Sequence, residues 1–127
     1  MKGITVEQIL RLHKKMADVT GGAEGIRNID LLESALNNAY ATFDGDELYP
    51  DVEDKAASTC FSIISNHPFI DGNKRMGIYV MLILLELNEI KIVFNQNELV
   101  SLGLGIAEGR LKQPDIRNWI QEHRTKK

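Results

Sequence analysis

The chain has 127 residues, of which 26% are charged and 43% are hydrophobic, and its formal net charge is −3 at pH 7. This size and composition predict one globular domain over residues 1–127 with a buried core of its own. The acidic balance argues against direct nucleic-acid binding, since binders of that class usually present a basic face.

Two amphipathic helices are predicted in the first third of the chain. Thr5 is expected to cap the first helix, with Gln8 completing a capping box, and the pair Gly21-Gly22 is expected to end it. Asp30 is expected to cap the second helix, in which apolar residues recur at helical spacing.

A polar loop and a third helix follow. Segment 42–50 combines acidic residues, a glycine and a proline, which is typical of a loop. Asp51 is expected to cap a helix that runs to about Asn66. Cys60 lies among the apolar positions of that helix, which indicates a buried structural thiol. A single cysteine forms no internal disulfide and favours a reducing compartment.

The second half of the chain is predicted to be helical as well. Segment 76–87 is apolar nearly all round, which is typical of a helix buried on most sides, and it is too short to span a bilayer. Segment 90–94 is either a short strand or an extended link, Asn95 or Asn97 caps a further helix, and Pro114 begins the last. We therefore expect an all-α, compact helical bundle without membrane contact. With no leader peptide evident, we also expect a cytoplasmic location.

Between the third helix and the central helix lies a run with unusual chemistry. It consists of His67, Pro68, Phe69, Ile70, Asp71, Gly72, Asn73, Lys74 and Arg75. If Asn73 caps the central helix, Lys74 and Arg75 fall in its first turn, where the helix dipole disfavours cations. A bound phosphate would remove this conflict, because it accepts bonds from free N–H groups, a cation and a guanidinium together. Asp71 would repel a phosphate unless Mg²⁺ lay between them.

Each of these residues also has a purely structural interpretation. His67 is acceptable as a cation at a helix C-terminus, Asp71-Gly72 as an ordinary turn, and Lys74 and Arg75 as a solvated helix face. Because all of them occur in one short loop between two helices, we favour the functional interpretation.

The run resembles the Fic motif, H-P-F-x-[D/E]-G-N-x-R, at every fixed position. It is closest to the death-on-curing (Doc) branch of that superfamily, in which Lys follows the Asn, as Lys74 does here. Segments 21–22, 25–27, 31–36, 49–50, 55–57 and 85–88 are also similar to the Doc pattern. The resemblance therefore covers most of the chain, and it implies a Fic/Doc-like bundle with a catalytic loop between two core helices.

The resemblance also implies a role for each residue of the loop. His67 looks like the general base that takes a proton from a target hydroxyl, and Asp71 looks like the Mg²⁺ ligand. Arg75 looks like the phosphate clamp, and Phe69 looks like the apolar anchor of the loop. An anion hole is implied for Gly72, Asn73 and Lys74.

Three other polar residues lie outside the run. Arg27 is a further candidate for reaching the site, since the glycine-rich segment around it looks specific to the family. His13 and His123 lack any such context, and we expect both at the surface.

Two positions bear on the reaction that the resemblance implies. Fic enzymes that transfer AMP usually have Gly after the Asn and a second Arg three residues after the first, whereas this chain has Lys74 and Ile78 there. The Doc branch is associated instead with transfer of the terminal phosphate of a nucleoside triphosphate such as ATP. We therefore expect a Mg²⁺-dependent phosphotransferase acting on a Ser or Thr hydroxyl of a protein.

The resemblance implies partners as well. Doc-like proteins are toxins of toxin–antitoxin pairs, so a cognate antitoxin and a target in the translation machinery, typically an elongation factor, are expected. The alternatives are AMP transfer by the same loop, or an inactive module that binds nucleotide or antitoxin. Residues 20–25 match T-x-x-x-E-G, a self-inhibitory motif of some Fic proteins. We treat the match as coincidental, because Gly21 and Gly22 disfavour the helix on which that Glu would lie.

Overall fold

The computed structural model describes residues 1–125. Over that range the helices are α1 (Val6–Thr20), α2 (Ile29–Asn38), α3 (Val52–Asn66), α4 (Asn73–Leu87), α5 (Gln96–Ala107) and α6 (Gln113–His123). A small sheet pairs β1 (Thr42–Phe43) with β2 (Asp46–Glu47). The predicted all-α fold is confirmed. None of the helices in residues 1–125 has the length and apolar character that a bilayer crossing requires.

Three of the predicted helix caps form. The Thr5 side chain accepts the backbone N–H of Gln8, whose own side chain accepts the N–H of Thr5 in return. Asp51 accepts the N–H of Asp54 at 2.8 Å, and Asn95 caps α5 in a second capping box. The prediction for α2 was wrong, because Asn28 is its cap.

Asn28 has the extended backbone of an N-cap, with φ −155° and ψ 107°. Its side chain accepts the N–H groups of both Asp30 and Leu31. Asp30 therefore lies inside the first turn, where a carboxylate faces the positive end of the helix dipole. Both residue types are good caps, so the sequence alone did not decide between two candidates that lie two positions apart.

The segment predicted to be only a loop contains the β1–β2 hairpin. Thr42 pairs with Glu47 and Phe43 pairs with Asp46 in antiparallel register. Asp44 and Gly45 both have positive φ, 54° and 85°, which is the backbone that a two-residue primed turn requires. The Asp-Gly pair was the available signal, but the flanking strands are too short and too exposed to show alternating polarity.

The core is built around α3, which packs against α2, α4, α5 and α6. It packs tightly against α4 at Gly77, where an added Cβ would lie 2.6 Å from Ile64 Cγ1 and 3.0 Å from the Cys60 carbonyl oxygen. Cys60 is fully buried, as expected, and burial raises the pKa of its thiol. The apolar α4 is buried along most of its length, which confirms its predicted place at the centre of the bundle.

The C-terminal part closes the bundle. Segment 90–94 is an extended link that is joined to the end of α6 through a bridge between Ile92 and Arg124. His123, expected at the surface, is instead half-buried. Its Nε2 lies 2.6 Å from Glu98 Oε2, its Nδ1 lies 2.7 Å from the Trp119 carbonyl oxygen, and its ring stacks on the Trp119 ring. The prediction failed because these partners lie on α5 and one turn back on α6.

Candidate active site

The motif loop joins the end of α3 to the start of α4, and it begins at His67. This residue is the C-cap of α3 and has left-handed backbone angles, φ 52° and ψ 56°. Pro68 follows it, and a residue before proline is disfavoured in the right-handed helical region, so α3 ends here. The exposed imidazole of His67 is thereby turned out of the helix and into the cleft.

The hydrogen bonding of His67 determines its tautomer. Its Nδ1 lies 3.1 Å from the carbonyl oxygen of Ser65, which can only accept. Nδ1 therefore carries the proton in the neutral ring, and Nε2 keeps a free lone pair. A neutral imidazole of this kind can accept a proton from a hydroxyl group.

Arg27 holds the backbone of the same histidine through hydrogen bonds. Its Nε donates to the His67 carbonyl oxygen at 2.8 Å, and its Nη2 donates to the Asn66 carbonyl oxygen at 2.9 Å. These bonds satisfy two carbonyl groups at the end of α3. Arg27 therefore holds the backbone at His67. The sequence had suggested instead that its side chain reaches into the site.

Asn73 occupies a different position from the one predicted. The N-cap of α4 is Gly72, with φ 81°, and Asn73 is the first residue of the helix. The Asn73 side chain turns back instead: its Oδ1 accepts the N–H of Phe69 at 2.9 Å and its Nδ2 donates to the Phe69 carbonyl oxygen at 3.0 Å. The prediction that Asn73 caps α4 was wrong, because this pair of bonds closes the loop on itself.

The start of α4 is consequently well suited to an anion. Gly72 has no side chain with which to cap the first-turn N–H groups, and no acidic residue lies in that turn. Lys74 and Arg75 are exposed there and line the cleft. The conflict between these cations and the helix dipole therefore persists in the folded protein, as expected of a phosphate-binding helix start.

The backbone of the loop is held on several sides. Phe69 is 1% exposed and lies in the main core. The Pro68 carbonyl oxygen accepts the N–H groups of Arg27 and Asn28 at 2.7 and 3.0 Å, and Ile70 donates to the Gly25 carbonyl oxygen at 3.3 Å. These bonds hold the loop in place, and groups that are fixed in this way can stabilise a developing charge without having to reorganise.

His13 is a functional candidate that the sequence interpretation missed. It was expected at the surface, but it is 3% exposed, and its Nε2 lies 2.8 Å from the Asp71 carbonyl oxygen. The reason is its register on α1, since Ile9, His13 and Met16 share one buried face at helical spacing. That spacing was the signal in the sequence from which its burial could have been predicted.

Asp71 presents the carboxylate of the site. Its Oδ1 accepts the N–H of Gly72 at 2.9 Å, and its Oδ2 accepts the N–H of Ala23 at 3.4 Å. Residues 1–125 contain no group of three or more His, Cys, Asp or Glu side chains that could enclose a metal ion. An exposed single carboxylate beside an anion site nevertheless fits Mg²⁺, which usually combines one or two carboxylates with substrate phosphates.

The cleft above the loop has a volume of about 900 Å³. This volume is within the range of roughly 300–1,000 Å³ that is usual for small-molecule sites. The polar residues of the loop line part of the cleft. Residues of α4 and α5 also line it, among them Ile78, Tyr79, Leu99, Val100, Gly103 and Leu104.

The segment that matches T-x-x-x-E-G does not form the helix that an inhibitory glutamate would require. α1 ends at Thr20, and Gly21 has φ 74°. Glu24 lies in the loop that follows, and its side chain is exposed.

Comparison with known proteins shows the family of this chain. Residues 3–85 match the sequence profile of the Fic/DOC family. The chain is also 35% identical over 72 residues to a protein named Toxin Doc from Mycolicibacterium smegmatis (strain ATCC 700084 / mc(2)155), an alignment that covers 57% of this chain. The same alignment covers 55% of that relative, so the chain matches about half of its length. Since the family profile covers well over half of the sequence, the chain belongs to the Fic/DOC family.

Proposed function

We propose that this chain is a Doc-like toxin that transfers the terminal phosphate of a nucleoside triphosphate to a Ser or Thr hydroxyl of a protein. One observation carries the proposal: His67, with a free Nε2, and the open N-terminus of α4 line the same cleft. A base and a phosphate site in one cleft are the two elements that such a transfer requires.

The nucleotide, ATP or another triphosphate, binds at the N-terminus of α4. The backbone N–H groups of the first turn point at the incoming phosphates, and the helix dipole favours their negative charge. Lys74 supplies a point charge, and Arg75 supplies a planar guanidinium that can pair with two phosphate oxygens at once. Asp71 would hold Mg²⁺, which when bound offsets the charge on the phosphate oxygens.

The transfer itself depends on His67. Its Nε2 accepts the proton of the target hydroxyl as the hydroxyl oxygen forms a bond to the γ-phosphorus. The bond between the γ-phosphorus and the bridging oxygen breaks, and the nucleoside diphosphate leaves with that oxygen. Arg27 holds the backbone of His67, and the Ser65 carbonyl oxygen accepts the imidazole Nδ1–H, so the ring keeps one place and one tautomer, which lowers the entropic cost of this step.

Two residues support phosphate transfer over AMP transfer. Lys74 occupies the first turn of α4, where its side chain fills space beside the phosphate site. Ile78, 5% exposed, lies one turn further along and lines the cleft with a methyl surface instead of a second guanidinium. Without that second cation, the α-phosphate has less to stabilise its charge during AMP transfer.

The partners follow from the same proposal. The target is a protein of the translation machinery, with an elongation factor as the candidate, and the compartment is the cytoplasm. An antitoxin would restrain the enzyme, because the Thr20–Gly25 segment supplies no inhibitory helix of its own.

A growth and protein-synthesis assay tests the proposal. Induced expression of the wild-type chain in bacteria is expected to stop incorporation of labelled amino acid, and His67→Ala is expected to leave incorporation normal. Thermal unfolding of the purified variant serves as the folding control. Arrest by folded His67→Ala that equals the wild-type arrest would favour the inactive binding module, because binding alone does not need the base.

A further inference from the structure

His13 touches the proposed metal ligand from outside the motif. It lies on α1, 58 residues before Asp71 in the sequence, and its Nε2 is 2.8 Å from the Asp71 carbonyl oxygen. That oxygen can only accept a hydrogen bond, so Nε2 of His13 must carry a proton and donate it. Asp71 is thereby held by its backbone as well as through its carboxylate.

The same ring contacts the anchor of the loop. The His13 ring stacks on Phe69 with 4.0 Å between the ring centroids and 6° between the planes. Phe69 in turn is bonded at both backbone groups by Asn73, the first residue of α4. One buried side chain therefore links the residue that carries the carboxylate to the start of the phosphate-binding helix.

The face of α1 that carries His13 packs closely against the turn of the loop at Asp71 and Gly72. A Cβ added at Gly72 would lie 2.5 Å from Met16 Cε and 3.8 Å from His13 Nε2. A little further along, a Cβ at Gly22 would lie 2.9 Å from Asp71 Oδ2. α1 and the glycines after it thus leave the Asp71–Gly72 turn little room to move.

We propose that His13 is a positioning residue for the divalent-cation site. Its Nε2–H bond to the Asp71 carbonyl oxygen and its stack on Phe69 hold the Asp71 carboxylate at a fixed place relative to the N-terminus of α4. The inference rests on the proposed function, in which Asp71 and the nucleotide phosphates share the cation. Residues that orient a metal ligand typically account for roughly 10–100-fold in metal affinity.

Two pairs of variants separate the hydrogen bond from the packing. His13→Phe keeps a ring against Phe69 and removes the donor, whereas His13→Gln keeps an N–H donor and removes the ring. His13→Leu beside His13→Gln is a second pair in which both members lack the ring and only one has the donor. This second pair keeps the inference testable if His13→Phe fails to fold.

The experiment measures binding of a fluorescent ATP analogue to the purified full chain, with and without Mg²⁺. Without the cation, the His13 variants are expected to bind like the wild type through α4, and Asp71→Asn is expected to bind at least as tightly, because it removes a carboxylate that repels phosphate. With Mg²⁺, the wild type is expected to bind more tightly. His13→Phe and His13→Leu are each expected to lose about tenfold in apparent Mg²⁺ affinity, and Asp71→Asn is expected to lose the Mg²⁺ effect. His13→Gln is expected to recover most of that loss.

The outcomes that overturn the inference are distinct from failure of the proposed function. If Asp71→Asn loses the Mg²⁺ effect while folded His13→Phe and His13→Leu keep it, His13 is only a core residue and this inference is wrong. If the wild type itself shows no Mg²⁺ effect on nucleotide binding, the metal role in the proposed function is wrong, and the positioning role of His13 is wrong with it.

Discussion

Among single residues, the proposed base His67 depends on Arg27, a side chain that does not line the cleft. Arg27 donates two hydrogen bonds from one planar group to the adjacent carbonyl oxygens of Asn66 and His67. A lysine at this position could not reproduce both, because its ammonium is a compact point charge without the fork geometry of a guanidinium.

We therefore predict that Arg27→Lys lowers kcat for phosphate transfer by about tenfold, through loss of orientation of His67. The KM for the nucleotide should stay nearly unchanged, because the phosphate-binding groups lie on α4. Steady-state kinetics with varied nucleotide separate the two parameters. A higher KM with unchanged kcat would mean that Arg27 binds phosphate, which the present account excludes.

The residue scale also marks the limit of what the sequence could predict. The contiguous motif placed His67, Asp71 and Arg75 close together, because nine neighbouring residues cannot be far apart. The partner of Asn73 depends on the turn of the loop, and the burial of His13 depends on the approach of α1. The partner of Asn73 is not encoded by its neighbours in sequence, whereas the burial of His13 could have been predicted from its helical spacing to Ile9 and Met16.

At the scale of elements, the close contact between α3 and α4 places the loop that joins them. It depends on Gly77, where a side chain would overlap Ile64 and the backbone of Cys60. The helices fix the two ends of the motif loop, so their spacing fixes the distance between His67 and the start of α4.

Gly77→Ala is expected to destabilise the protein by about 1–3 kcal/mol, since overpacking a well-filled contact forces backbone shifts. Gly103→Ala in α5 is the matched control, because its Cβ would lie at an ordinary 3.8 Å from Ile78 Cγ1. Alanine at this helical position should be neutral or stabilising by up to about 1 kcal/mol. Denaturant unfolding of both variants checks this, and equal stability of the two would show that α3 and α4 have room to spare.

A second contact between helices is the ion pair of His123 on α6 with Glu98 on α5. Burial alone would lower the pKa of His123, but its hydrogen bonds to Glu98 and to the Trp119 carbonyl outweigh burial and raise the pKa above its ordinary value of 6.5. The hydrogen bond from His123, with that from the Asn95 N–H, lowers the pKa of Glu98.

These shifts predict how stability depends on pH. A raised pKa means that the contribution of His123 is fully present below its unfolded pKa, about 6.5, and is lost as the pH rises through its folded value. The melting temperature should therefore fall as the pH rises above about 6.5, and the fall should be smaller in Glu98→Gln, in which the Trp119 carbonyl bond still raises the pKa of His123. Glutamine keeps the capping box of α5, so this control removes only the charge. Identical pH profiles for wild type and Glu98→Gln would contradict the ion pair.

The elements themselves were largely predictable, because apolar periodicity and capping residues are local signals. The exceptions have local causes too. Asn28 and Asp30 are equivalent as caps, and the β1–β2 hairpin is too short for its strands to show a period. What could not be predicted is which helix faces meet, since that depends on the fit of α4 against α3 at Gly77.

In the whole molecule, the helical bundle holds the nine motif residues, 67–75, in place from several sides. The loop is connected to α1 through His13, to the segment before α2 through Pro68, and to α3 and α4 at its ends. Its cleft carries exposed cations on a protein of net charge −3, so attraction of an anionic ligand is a local property of the start of α4.

Transfer of radiolabel from ATP to protein in a cell extract tests the proposed phosphate transfer most directly. γ-Labelled and α-labelled ATP are used in parallel, with wild type beside His67→Ala. We predict that protein is labelled from the γ position only, and that the label disappears with His67→Ala. Label transferred from the α position would show AMP transfer and contradict our interpretation of Lys74 and Ile78, and γ-label that persists in folded His67→Ala would contradict the role of His67 as the base.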